Sequence, residues 1–153
     1  MKKLIERQKV SENLKTTNLY QQLGKLLNAL EEMKLPTETV DLINQEIELL
    51  NSISVVDKYF VKATKEKENR ILKLVENKHK IVPKNHYKKL WMVLGMSVFG
   101  VPMGVALGSS TGNMGLLGVG LPIGLAVGIG VGSSMDKKAL NEGRQLDFEV
   151  KHH

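Results

Sequence analysis

The chain has no cysteine among its 153 residues. That removes disulfides, thiolate metal sites and thiol nucleophiles. It also removes a lipoprotein anchor, which needs a cysteine to acylate. Aromatic residues make up only 5% of the chain, with one tryptophan, so no stacking platform for nucleic-acid bases accompanies its basic stretches. No G-x-S-x-G, P-loop or dinucleotide fingerprint occurs, and the scattered serines have no paired base. His79 and His86 are seven residues apart, but Pro83 stands between them and no acidic ligand is close. These absences predict a protein that is not an enzyme, with no cofactor, no metal and no nucleic-acid partner.

The most informative absence is local. Residues 90–135 contain no Asp, Glu, Lys, Arg or His. Residues 1–89 carry 18 Lys/Arg and 12 Asp/Glu, while residues 136–153 carry four of each sign. A run of 46 uncharged residues is too long for one membrane span, since about 20 residues cross the hydrocarbon core. Two spans, 90–109 and 115–135, fit with a turn in Ser109-Ser110-Thr111-Gly112-Asn113, where small polar residues and glycine suit a tight reversal. Helices also satisfy their own backbone polar groups, as lipid demands.

The flanks predict the orientation. Residues 77–89 hold five lysines and no acid, Lys137 and Lys138 follow the second span, and the turn is uncharged. The positive-inside rule then places both termini in the cytoplasm. Lys84, Tyr87, Lys88, Lys89, Trp91, Lys137 and Lys138 become the membrane-interface residues. The start, MKKLIERQKVSENL, has basic residues but no apolar run behind them, so the first ninety residues are expected to stay where they are made. The basic stretch at 77–89 reads first as a topology signal. It also suits anionic lipid headgroups, which attract nearby lysines.

The two spans repeat each other. Gly100-Val101-Pro102-Met103-Gly104-Val105-Ala106-Leu107-Gly108 matches Gly120-Leu121-Pro122-Ile123-Gly124-Leu125-Ala126-Val127-Gly128 at an offset of 20 residues, and each match extends to Gly112 and Gly132. Four-residue spacing sets Gly100, Gly104, Gly108 and Gly112 on one stripe, and Gly120, Gly124, Gly128 and Gly132 on another. A stripe without side chains lets another backbone approach closely. The stripes either face each other within one hairpin or also join protomers, with Gly118 and Gly130 lying off the main stripe for a second interface. Pro102 and Pro122 each lack an N–H and free the carbonyls of Val98 and Gly118. Kinks are expected at both, as tolerated bends rather than gating hinges.

Residues 1–82 read as a cytoplasmic helical region. Leu19, Leu23, Leu26, Leu30 and Met33 form a heptad seam, which Leu35-Pro36-Thr37 breaks with Thr37 as N-cap. Val40, Ile43, Ile47 and Leu50 form a second seam. A Ser54–Asp57 capping box is expected to open a third helix over 55–82. Its stretch KATKEKENR offers almost no apolar face beyond Ala63, which reads as a solvated face or a stalk. The predicted fold is therefore all-α: a helical hairpin or coiled-coil-like arm over 1–82, a basic linker over 83–89, a two-span hairpin over 90–135 and a charged cytoplasmic tail over 136–153.

The G-x-P-x-G-x-A-x-G repeats at 100–108 and 120–128, followed by Met135-Asp136-Lys137-Lys138-Ala139 and Glu142-Gly143-Arg144-Gln145-Leu146, resemble small bacterial membrane proteins of the glycine-zipper type. The resemblance covers residues 90–147 and implies a bacterial cytoplasmic membrane and no enzymatic activity. The duplicated glycine stripes and the small residues of the spans lead to the expectation of a homo-oligomer assembled through those stripes and built, in one version, into a pore or channel regulated by the cytoplasmic helices. The alternatives are a membrane-anchored adaptor whose cytoplasmic helices bind a protein partner, and a membrane-perturbing toxin or defence effector. Membrane lipids are partners under all three.

Overall fold

The computed structural model describes residues 1–5, 14–54 and 58–150. Among these it is helical, with no strand, in the order α1 (Leu14–Glu32), α2 (Thr37–Asn51), α3 (Lys58–His79), α4 (His86–Leu94), a π turn (Gly95–Gly100), α5 (Val101–Thr111), a short 3-10 turn (Met114–Leu116) and α6 (Leu117–Asn141). The chain divides into two compact units, Met1–Pro83 with Leu146–His153, and Lys84–Gln145.

The first unit is a bundle of α1, α2 and α3. Helix α3 packs against both α1 and α2, and its Phe60, Ile71 and Val75 share one core with Leu23, Leu26 and Leu30 of α1 and Ile43, Ile47 and Leu50 of α2. Apart from Val40, which is only partly buried, the residues of both seams read from the sequence are buried or packed against this core within one chain. Burying each of these side chains contributes roughly 1.5–3 kcal/mol, and the three-to-four-residue spacing makes every contribution fall on one face.

Three local expectations give way here. Residues 1–5 are not helical; the Lys2 amide donates to Asn44 and Asn51 donates to the Lys3 carbonyl, which ties this segment to α2. Thr37 is the first residue of α2, not its cap. Pro36 takes the cap position, and its carbonyl accepts from Thr39 at 3.0 Å and Val40 at 3.1 Å, because proline already holds the φ that the turn needs. The third helix is neither a wholly solvated face nor a stalk. It packs into the bundle through Phe60, Ala63, Thr64, Glu68, Ile71 and Val75, so two of its inward positions are polar. It closes at His79, where Lys80 takes a left-handed conformation and the Ile81 amide reaches back to the Val75 carbonyl. The capping box with Asp57 lies outside the described residues.

The expected charged tail is also divided. Helix α6 runs on through Lys137 and Lys138 to Asn141, and a Schellman-type close follows, with Gly143 at φ 66° and the Arg144 amide on the Ala139 carbonyl. Leu146 and Phe148 then join the core of the first unit, and the Leu146 amide donates to Val82 at 2.9 Å. Val82 and Leu146 lie side by side, so the second unit is an insertion whose two connections start from neighbouring points.

The second unit is a helical hairpin. His86–Thr111 and Met114–Asn141 are each long and apolar enough to cross a membrane. They run antiparallel around the turn at 112–116, where Gly112 ends α5 with φ 65° and the Asn113 side chain accepts from the Gly115 amide at 3.0 Å.

Candidate functional site: the glycine-lined helix pair

Packing between the two long helices is set by what glycine lacks. On α6, Gly120, Gly124, Gly128 and Gly132 are buried, and most side chains around them are exposed. A Cβ built on Gly124 would lie 2.5 Å from the nitrogen and 2.6 Å from the Cα of Gly100. One on Gly120 would lie 2.6 Å from the Gly104 Cα, one on Gly128 2.8 Å from the Trp91 carbonyl carbon, and one on Gly132 2.5 Å from the Lys88 Cα. Real Cβ atoms do not approach backbone this closely, so alanine at any of the four forces the helices apart. The stripe read on α6 is an interface along its whole length.

The facing stripe differs from the one read in the sequence. Gly100, Gly104 and Gly108 are buried, but Gly112 is exposed and meets nothing. It supplies a left-handed helix end instead of a packing surface. The fourth packing glycine is Gly95, whose added Cβ would lie 2.9 Å from the Gly128 Cα. Five residues separate Gly95 from Gly100, a spacing that an α-helix carries off the stripe. The π turn absorbs the extra residue: the Val101 amide bonds the Met96 carbonyl, five residues back. This wide turn lies directly before Pro102, whose ring would otherwise press on the Val98 carbonyl. Pro122 has no such turn and sits inside continuous α6. The two prolines, matched in sequence, therefore have unequal surroundings.

One further residue completes the stripe. Four residues past Gly132 stands Asp136, 8% exposed. Its two carboxylate oxygens accept from the Tyr87 amide at 3.0 Å and the Lys88 amide at 2.9 Å. These are N–H groups of the first turn of α4, which have no partner within their own helix. Asn85, at the cap position, is left-handed and makes no side-chain cap bond. Asp136 therefore caps α4 from across the hairpin, a charged cap facing the positive end of the helix. The sequence carried a signal for it, since the four-residue period continues from Gly132 onto Asp136.

The residues expected at a membrane interface gather at this open end. Lys84, Lys88 and Lys89 precede or begin the first long helix, and Lys137 and Lys138 flank Asp136 on the second. Tyr87 and Trp91 are partly exposed. Glu142 forms an ion pair with Arg144, and that guanidinium holds its carboxyl below the usual carboxylate range.

Outward, the hairpin is apolar and open. Leu90, Val93, Phe99, Met103, Val105, Val119 and Val127 are between 45% and 60% exposed. The helical unit has a different feature, an open cleft of about 480 Å³ lined by Asn18, Gln21, Lys25 and Glu32 of α1 and by Asp147, Phe148 and Glu149. Neither place gathers three or more His, Asp or Glu side chains in a metal-holding group among the described residues. Neither family models nor characterised proteins nor solved structures offer a match to this chain.

Proposed function

We propose that the chain is a non-enzymatic integral membrane protein whose glycine-packed hairpin spans the cytoplasmic membrane and self-associates. The observation that carries this reading is the combination of backbone-to-backbone packing inside the hairpin with apolar side chains over its outside. A buried core helix of a water-soluble protein hides its apolar face, whereas these two helices are less than a fifth buried over their most apolar stretches. Lipid is the solvent that such a surface fits, and close backbone packing is how helices associate there. The segments that precede and follow the hairpin belong to one helical unit, which fits an even number of spans, and the lysines of 77–89 with Lys137 and Lys138 favour the cytoplasmic side for that unit.

Self-association rests on a second stripe. The main glycines are taken up in closing the hairpin, but Gly118, Pro122, Ala126, Gly130 and Ser134 repeat every four residues on the other side of α6 and are all exposed. A Cβ added at Gly118 or Gly130 meets nothing. Single-molecule photobleaching of protein reconstituted in liposomes tests this. More than one copy per complex is expected, and Gly118→Leu with Gly130→Leu should reduce complexes to single hairpins without unfolding them. Copy numbers that do not change with these substitutions would refute assembly through this face. A ring of several hairpins is the form in which the protein would conduct.

The helical unit favours a second reading, that of a membrane-anchored adaptor. Its independent core and its polar cleft suit a protein partner, and a strictly monomeric hairpin would leave this as the better account.

A further inference from the structure

We propose that the open end of the hairpin is a binding collar for anionic phospholipid headgroups. This rests on the membrane reading and adds a ligand to it. Two lysine clusters that are about fifty residues apart in the chain meet there. Gly132 packs on the Lys88 backbone and Asp136 holds the Tyr87 and Lys88 amides, so Lys88 and Lys89 stand level with Lys137 and Lys138. Lys84 and Arg144 complete a set of six cations.

Residues 84–145 contain two acids, Asp136 and Glu142, and both are engaged within this unit. Asp136 is turned inward onto α4, and Glu142 pairs with Arg144 and lies 4.0 Å from Lys138. The collar therefore keeps a formal charge of +4. Charge alone does not choose among polyanions, but what borders it does. Within one helical turn of Lys89 the surface becomes uncharged and apolar, with Leu90 47% and Val93 60% exposed. A soluble polyanion would cover the lysines and leave this apolar surface in water. An anionic lipid offers phosphate and hydrocarbon in that order, and lysine stems lie along apolar surface while their ammonium groups reach the headgroup.

Trp91, the one tryptophan of the chain, lies one turn beyond Lys88 and reports on the lipid next to the collar. The full protein is reconstituted into phosphatidylcholine vesicles with a minority of phosphatidylglycerol, and bromine is placed on the chains of one lipid or the other. Each lysine beside an anionic surface favours the anionic lipid by roughly fivefold, so brominated phosphatidylglycerol should quench Trp91 several-fold more than its mole fraction predicts. The excess should disappear in a Lys88→Gln, Lys89→Gln, Lys137→Gln, Lys138→Gln variant, survive when all four become arginine, and shrink with added salt. Quenching that follows mole fraction in the wild-type protein overturns the collar. Absence of quenching by either brominated lipid overturns the membrane placement itself. Preference retained in the glutamine variant shows that these lysines do not select the lipid and overturns the assignment as well.

Discussion

Glu68 is a carboxylate in the interior of the helical unit. It is 2% exposed, and the side-chain amide of Gln22 donates to it at 2.7 Å. Burial pushes its pKa above the ordinary 4.5, and the hydrogen bond from Gln22 and the charge of Lys65 only partly offset this. The folded protein therefore holds a proton on Glu68 over a range just above 4.5, where the unfolded chain has lost it. The stability linked to that proton is complete below 4.5 and is lost as pH rises through the raised value. Glu68→Gln keeps an acceptor for Gln22 without the charge. Thermal unfolding of the full protein, followed by helical circular dichroism, should show a midpoint for Glu68→Gln that is higher than wild type at neutral pH. The gap should close as the pH is lowered through the raised value towards the ordinary 4.5. A variant less stable than wild type at neutral pH would show that the charge is supported in place. Composition could not reveal this site: KATKEKENR has the look of a solvated face, and only the position of Gln22 on the neighbouring helix explains why one of its glutamates points inward.

At the scale of elements, the hairpin was legible where period and chemistry agree. Four-residue glycine spacing identified all of the α6 stripe and three of the four packing glycines opposite it. It failed where the period itself changes. The π turn before Pro102 exchanges Gly112 for Gly95, and a reading that assumes uniform α geometry cannot anticipate a five-residue step. Asp136 was hidden by its charge, since it reads as the first residue of a solvated tail. The seams of α1 and α2 were correctly placed, whereas Leu146 and Phe148 were not, because two apolar residues in a charged segment form no periodic signal. The cap by Asp136 makes its own prediction. Asp136→Asn leaves one oxygen to accept and removes the charge, which should cost the hairpin about 1–2 kcal/mol. Hydrogen exchange at the Tyr87 and Lys88 amides should accelerate accordingly, by about one order of magnitude or more. Unchanged exchange at both amides would mean that α4 is held by the glycine contacts alone.

At the scale of the whole molecule, the chain is a helical unit with a hairpin inserted between Pro83 and Leu146. The insertion has the length, the apolar exterior and the glycine-to-backbone packing of a pair of membrane spans, and the proposals on assembly and lipid recognition depend on that placement. A chain without cysteine allows it to be tested one residue at a time. Single cysteines at Asn69 in the helical unit, at Val98 and Val127 on the outer faces of the long helices, and at Asn113 in the turn are all substitutions at exposed sites. They are expressed in cells and treated with a membrane-impermeant maleimide from one side and then the other. The account predicts that Asn69→Cys reacts only from the cytoplasmic side and Asn113→Cys only from the opposite side, while Val98→Cys and Val127→Cys react from neither. Reaction of Val98→Cys and Val127→Cys as readily as Asn69→Cys, from the same side, would contradict it.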